Sequence, residues 1–147
     1  MTDFKAVRVD QYWQRACVYY IRLDEFVREF EIGVEHELDS GDHSEAKYIL
    51  VFDHQGTPVG TCRLNVLDDN HGKIERVSVL KQYRHQGVGR VVITEAEKWF
   101  KELGIHHISI NSRDNSVGFY EKLGYQVNPN TQVHGKLFDL VNTYKTL

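Results

Sequence analysis

The sequence contains only two cysteines, Cys17 in a helical stretch and Cys62 in a strand-like one. They have neither the number nor the spacing of a disulfide framework or a zinc ribbon, so a reduced, cytoplasmic protein is expected. Long hydrophobic runs are missing as well, and nothing approaches the roughly 20 apolar residues of a membrane span. Residues 1–10 lack the charged segment and apolar core of a secretion signal, so no membrane partner is expected either. An excess of positive charge is absent: the formal net charge is -3, which argues against a dedicated nucleic-acid binder. Without repeats, low-complexity tracts or a Pro/Ser-rich linker, residues 1–147 read as one domain. A chain of that length can bury a core without disulfides or a structural metal. No run such as D-x-[DN]-x-[DN]-G appears, and no metal site is expected.

What the chain does carry is an uneven distribution of charge. From Asp24 to Glu45 nine acids stand against Arg28 alone, a local balance of -8, whereas from Lys73 to Arg90 five bases stand against Glu75, a balance of +4. The basic segment suits a multiply anionic ligand. Two solvated faces of opposite sign are the plainer alternative.

Hydrophobic spacing places a first strand near Phe4 to Val9 and then a helix capped by Asp10, with Ala16, Tyr19, Tyr20, Leu23, Phe26 and Val27 on its apolar side and a bend near Asp24. Glu31 to Glu45 reads as a loop with a short helix. Strands over Lys47–Asp53, Pro58–Val66 and Lys73–Leu80, joined by short turns, form an antiparallel meander. Val88, Val91, Val92, Ala96, Trp99, Phe100 and Leu103 mark the strongest helix, closed by Gly104. A strand over Ile105–Ile110 then implies a parallel pair. Asn115 is placed as the cap of another short helix ending at Gly124, and strands near Tyr125–Asn128 and Lys136–Asn142 complete the fold. The class is α/β: a mixed, mostly antiparallel sheet flanked by helices.

The segment Arg84-His85-Gln86-Gly87-Val88-Gly89-Arg90 lies between a strand and the strongest helix. Helix N-termini carry unpaired N–H donors and a positive partial charge, so a basic, glycine-containing loop there reads as a pyrophosphate site. Gly87 and Gly89 permit close approach and unusual dihedrals. The pattern is neither a Walker loop, since Arg90-Val91 lacks its lysine and hydroxyl, nor a dinucleotide fingerprint, since Val92 stands where the third glycine belongs. An ordinary tight helix start would read the same way.

Arg84 to Gly89 resembles the R-x-x-G-x-G coenzyme A loop of the GNAT acetyltransferase superfamily. Asn115-Ser116-Val117-Gly118-Phe119-Tyr120-Glu121-Lys122-Leu123-Gly124-Tyr125 is similar to its N-A-x-x-F-Y-E-K-L-G-F/Y segment, with Ser116 in place of the usual alanine. Pro58–Leu64 and Lys73–Val77 resemble the ElaA-like branch. That branch would have a Glu-Gln pair where this chain has Glu29-Phe30, and a different segment at Gln132–Gly135. Both regions are expected to shape the acceptor pocket.

The resemblance implies a sheet splayed between its fourth and fifth strands. Acetyl-CoA would serve as cosubstrate, its pantetheine arm lying along Val77 and Val79 and its phosphates on the loop from Arg84 to Arg90. Asn115 would face the cofactor, and Tyr120 would both contact it and protonate the departing sulfur. The partners implied are acetyl-CoA and a small or protein amine, with a homodimer left open.

A lysine-like amine with a pKa near 10.4 costs about 4.6 kcal/mol to deprotonate at pH 7, so a proton acceptor is useful. Glu75, a histidine or an ordered water are the candidates. By strand alternation Glu75 shares a face with Val77 and Val79; an internal ion pair with Arg63 or Arg76 is the alternative. Free N–H groups near Val77 to Val79 would stabilise the oxyanion. His36 and His134 could line the acceptor site, and the acidic stretch could steer cationic amines toward it, with Glu35, Glu37 and Asp39 as its centre. A non-catalytic acyl-CoA-binding module of the same fold is the rival reading. Tyr120 and Glu75 packed away from the thioester would favour it.

Overall fold

The computed structural model describes residues 3–135 and 137–147. Strand β1 (Lys5–Arg8) leads into helix α1 (Tyr12–Leu23), which continues as a wider π-helical segment over Asp24–Glu29. The bend expected near Asp24 is therefore a change of helical pitch. α1 begins one residue later than Asp10 as a cap implies, because the Gln14 side-chain oxygen accepts from the backbone N–H groups of both Asp10 and Gln11 at 2.8 and 3.0 Å, leaving Gln11 at the boundary. A short α2 (Val34–Glu37) and a 3-10 turn (Ser40–Asp42) occupy the acidic stretch.

β2 (Lys47–Phe52), β3 (Pro58–Val66) and β4 (His71–Val79) form the expected antiparallel meander. α3 (Val88–Glu102) follows, then β5 (His107–Arg113), which runs three residues past the expected end. Asn115 does not cap α4 (Val117–Lys122): its N–H donates to the Asp114 carboxylate at 2.9 Å inside a 3-10 turn, and Ser116 is the capping residue. β6 (Gln126–Val127) and β7 (Val133–His134) are short, and β8 spans Asp139–Thr146. The expected final strand started at Lys136, which lies outside the described residues, and stopped too early. β8 extends to Thr146 because it pairs with the full length of β5, from Arg113 opposite Leu140 to His107 opposite Thr146. Such long-range pairing has no local sequence signal.

The sheet order is β1-β2-β3-β4-β5-β8-β6, with β7 also on β8. α1 covers one face through Val18 and Ile21 on Tyr48, Leu50 and Leu80. The other face buries Val88, Val92, Ala96 and Phe100 of α3 against Ile49, Val51, Val59 and Ile74. β4 and β5 are parallel but pair only over His71–Lys73 and His107–Ser109. Both strands continue beyond that point without pairing to each other, which is the splay implied by the resemblance. Among the described residues no helix is long and apolar enough to cross a membrane.

Candidate active site

The opening between β4 and β5 is the mouth of a cleft of about 1520 Å³, walled by the π-helical segment, β4, the loop before α3, α4 and the residues before β8. Its centre is a β-bulge. Thr61 pairs with Ser78 and Arg63 with Glu75, so Arg76 and Val77 together oppose Cys62, and Arg76 adopts φ 53°. A non-glycine residue in the left-handed region is a local strain that surrounding contacts must hold. Here Arg76 donates to the Asp39 carboxylate at 2.8 Å and approaches Glu37 at 3.5 Å.

The bulge corrects the expected facing of Glu75. Simple alternation would put Glu75 with Val77 and Val79, but the extra residue shifts the phase: Ile74, Val77 and Val79 lie against the α3 core, while Glu75 turns to the opposite side. There Arg63 donates to its Oε1 at 3.1 and 3.3 Å, and Lys73 stands 3.7 Å from Oε2. The ion pair with Arg63 is the alternative the sequence left open. Glu75 still lines the cleft.

On the open side of β4, the Leu80 N–H donates to Val59 O at 2.9 Å, so the peptide groups of Val79 point away from β3 into the splay. The Val79 carbonyl accepts from Arg84 Nε at 3.2 Å. The remaining Arg84 donors reach Glu29 at 2.7 and 2.9 Å and Glu25 at 2.6 Å. The Arg84 side chain is thus held by the Val79 carbonyl and the carboxylates of Glu25 and Glu29. What the loop does offer is backbone. His85 and Gly87 take φ 64° and 90°, and the helical bonds begin with Val91 N–H to Gly87 O at 3.2 Å, leaving the N–H groups of Val88, Gly89 and Arg90 without intrahelical acceptors.

The two glycines have different reasons. A Cβ on Gly87 would meet nothing within 4 Å, so only its dihedral matters, whereas a Cβ on Gly89 would stand 3.0 Å from the Phe119 ring. Gly87 therefore shapes an open cradle and Gly89 lets α4 close on α3. His85, Val88, Arg90, Asn115 and Tyr120 also line the cleft. Gln86 does not: its side-chain amide donates back to Gln82 O at 3.1 Å.

Tyr120 is 6% exposed beside Phe119 and Tyr125, with its side chain on the cleft. Burial, then the neighbouring Cys62 thiol, raise its pKa well above the usual phenol value, against the opposing pull of Arg113. The phenol is therefore protonated at neutral pH. Neither Tyr120 nor Glu75 is packed away from the cleft, which disfavours the non-catalytic module.

The acidic stretch is not the free anionic surface its composition suggested. Arg22, fully buried, donates to Glu37 at 2.9 Å and Asp42 at 2.6 Å. Arg63 holds Asp39 at 2.8 Å, and Arg84 and Arg113 hold Glu25. Hydrogen bonds from Arg76 and Arg63 bring Asp39 down to about 2 despite its partial burial. Burial pushes the Glu25 carboxyl upward against the pull of Arg113 and Arg84. The steering expected of Glu35, Glu37 and Asp39 is thereby undercut, because two of the three are structural ion-pair partners. His36 lines the cleft; His134 is 82% exposed and pairs with Asp139 at 3.0 Å, off the cleft.

Residues the sequence did not single out complete the far wall. Arg113, at the end of β5, stacks among Phe26, Phe30 and Phe138. Phe30 is one of the departures noted from the ElaA-like pattern, and Gly135, from the other, lines the cleft as well. The buried alternation Ile108, Ile110, Ser112 extends the expected strand to Arg113 and is the signal that could have found it.

A family model described as the acetyltransferase (GNAT) family matches residues 11–125. The chain is 35% identical over 123 residues to the uncharacterized N-acetyltransferase YjcF of Bacillus subtilis, covering 84% of this chain and 86% of that one. A Bacillus subtilis protein assigned as an acetyltransferase is 38% identical over 110 residues, 74% of each chain. Among solved structures, a Lactobacillus plantarum chain assigned as an N-acetyltransferase superposes with a TM-score of 0.90 at 29% identity over 98% of both chains. An acyl-CoA N-acyltransferase from Pseudomonas aeruginosa shares the fold, with a TM-score of 0.80 at 16% identity over 99% of this chain and 100% of that one.

Proposed function

Because the chain belongs to the acetyltransferase (GNAT) family and is an acyltransferase, we propose that it transfers the acetyl group of acetyl-CoA directly to a primary amine, acting as a single cytoplasmic domain. The observation that carries the reading is the conjunction, in one cleft, of an open helix N-terminus at Gly87–Arg90, β4 backbone at Val79 that no neighbouring strand pairs on its open side, and the protonated phenol of Tyr120.

The N–H groups of Val88 to Arg90 suit the pyrophosphate of the cosubstrate, and nothing crowds the space above Gly87. The pantetheine arm would lie along Val77 and Val79. To hydrogen-bond the Val79 carbonyl, its amide must displace Arg84 Nε, whose other donors stay on Glu25 and Glu29. The neutral amine nitrogen attacks the thioester carbonyl carbon; the C–N bond forms and the C–S bond breaks. The sulfur takes the Tyr120 proton, and the proton shed by the amine returns to Tyr120 through Glu75 or water. Products are the N-acetyl amine and free CoA, with no net change of protons. Backbone N–H groups at the bulge would hold the oxyanion.

A calorimetric titration with acetyl-CoA, followed by an amine panel with free thiol as readout, tests the reading. Binding with acceptor-dependent thiol release is expected. Absence of acetyl-CoA binding would refute it, and binding without thiol release for any amine would return the non-catalytic module.

A further inference from the structure

We propose that the acceptor is an amino-carboxylic acid with an apolar side chain, its carboxylate held by Arg113. The inference deepens the reading above and rests on it. A guanidinium has five N–H donors in a planar fork. Among the described residues Arg113 uses one, in a long bond of 3.3 Å to Glu25 Oε1, and the other oxygen of Glu25 is already taken by Arg84 at 2.6 Å. Glu25 therefore keeps a partner if Arg113 turns to a ligand.

The surroundings of Arg113 make its unused donors consequential. Its guanidinium carbon lies 4.3 Å from the ring centroid of Phe138 and 5.2 Å from those of Phe26 and Phe30, and its side chain is 23% exposed. Phenyl rings attract the cation but accept no ordinary hydrogen bonds, and they displace water from the head group. A guanidinium so placed on a cleft, with four of its five donors unused among the described residues, is matched by a carboxylate, which it can engage through two parallel bonds. The same rings, with Ile32 and Leu137 on the cleft wall, provide an apolar surface for a side chain. Arg113 and Tyr120 line the same cleft, so a ligand anchored on Arg113 has its amine in the cleft that the thioester would enter. Glu25, Glu29, Glu37, Asp39 and Asp42 of the acidic stretch are tied to Arg22, Arg63, Arg76 and Arg84, which leaves Glu31 as the acid of that stretch lining the cleft without an ion-pair partner among the described residues.

Matched acceptors separate this proposal from its rivals: L-leucine against 3-methylbutylamine, L-phenylalanine against 2-phenylethylamine, and spermidine as a polycation, each at saturating acetyl-CoA. The carboxylated member of each pair is expected to have the higher kcat/KM, by roughly ten- to hundredfold for a charge-assisted contact. In Arg113→Gln that advantage should vanish, chiefly through KM, while acetyl-CoA affinity stays as in the wild type. Equal values within the pairs, preference for spermidine, or no turnover of either amino acid would overturn the proposal with the unsubstituted enzyme alone, whatever the folding of the variant. If acetyl-CoA fails to bind, the acetyltransferase reading itself falls; if it binds and the decarboxylated amines are preferred, only the carboxylate assignment does.

Discussion

Replacing Gly87 with alanine isolates what the left-handed start of α3 contributes to cosubstrate binding. Gly87 sits at φ 90° and ψ 5°, and the added Cβ has no neighbour within 4 Å, so no clash enters and the whole cost is conformational. For a non-glycine residue that cost is about 1–2 kcal/mol. Two limits follow. If the loop keeps its shape without ligand, the strain lowers folding stability and Tm falls by roughly 2–8 °C, with acetyl-CoA affinity unchanged. If the loop relaxes when empty, the strain is met only on binding, and Kd rises by roughly 5- to 30-fold. Between these limits the two losses should together account for about 1–2 kcal/mol.

Calorimetric scanning and titration of one preparation measure both. Gly56→Ala serves as control, since Gly56 has φ 82° and equally open surroundings but lies in the β2–β3 turn, so its cost should appear in Tm alone. Unchanged Tm and unchanged Kd in the Gly87 variant would refute the assigned role of this dihedral. Equal weakening of acetyl-CoA binding by both variants would refute its local character.

Tyr120→Phe should lower turnover by roughly 10²- to 10⁴-fold with little effect on acetyl-CoA affinity; unchanged turnover with chemistry rate-limiting would return Tyr120 to packing. Arg22→Met removes the fully buried cation between the carboxylates of Glu37 and Asp42, which are 1% and 6% exposed and keep Arg76 at 3.5 Å and Arg63 at 3.1 Å; removing one partner of a buried pair costs up to about 3–5 kcal/mol, so Tm should fall by up to roughly 6–20 °C. A fall of less than about 2 °C in thermal scanning would show the network to be dispensable. Asp39, depressed to about 2 from 3.8, contributes stability that is present above its unfolded pKa and is lost as pH falls through the folded one. Acid unfolding followed by circular dichroism should thus lose this contribution between pH 4 and 2, and Asp39→Asn should flatten that part of the profile. Neutralising Glu35, Glu37 and Asp39 together should destabilise the protein, because Glu37 is buried against Arg22; a fully stable triple variant with a raised KM for cationic amines would restore electrostatic steering.

The local patterns were legible because their causes are local. The β2–β4 meander follows from alternation and turn chemistry. α3 follows from its apolar spacing and the glycines at its ends, and the loop at Gly87 from the dihedral demand of a tight turn into a helix, whereas the need for Gly89 comes from Phe119 on α4. What the sequence could not supply was set by contacts between distant segments. The β4 bulge at Arg76 depends on pairing with β3, and it alone reverses the facing of Glu75. Composition made Asp24–Glu45 an anionic segment, but proximity to Arg22, Arg63, Arg76 and Arg84 turned five of its nine carboxylates, those of Glu25, Glu29, Glu37, Asp39 and Asp42, into their ion-pair partners, since a charge taken from water needs a counter-charge. Arg113 gained its aromatic surroundings from residues 26, 30 and 138, at least 25 positions away in either direction. Sequence determined which segments are helix, strand and glycine loop, because backbone sterics and side-chain periodicity act over a few residues. Only the tertiary structure decided which charges remain available for chemistry, because that depends on which side chains the folded sheet brings within a few ångströms of one another.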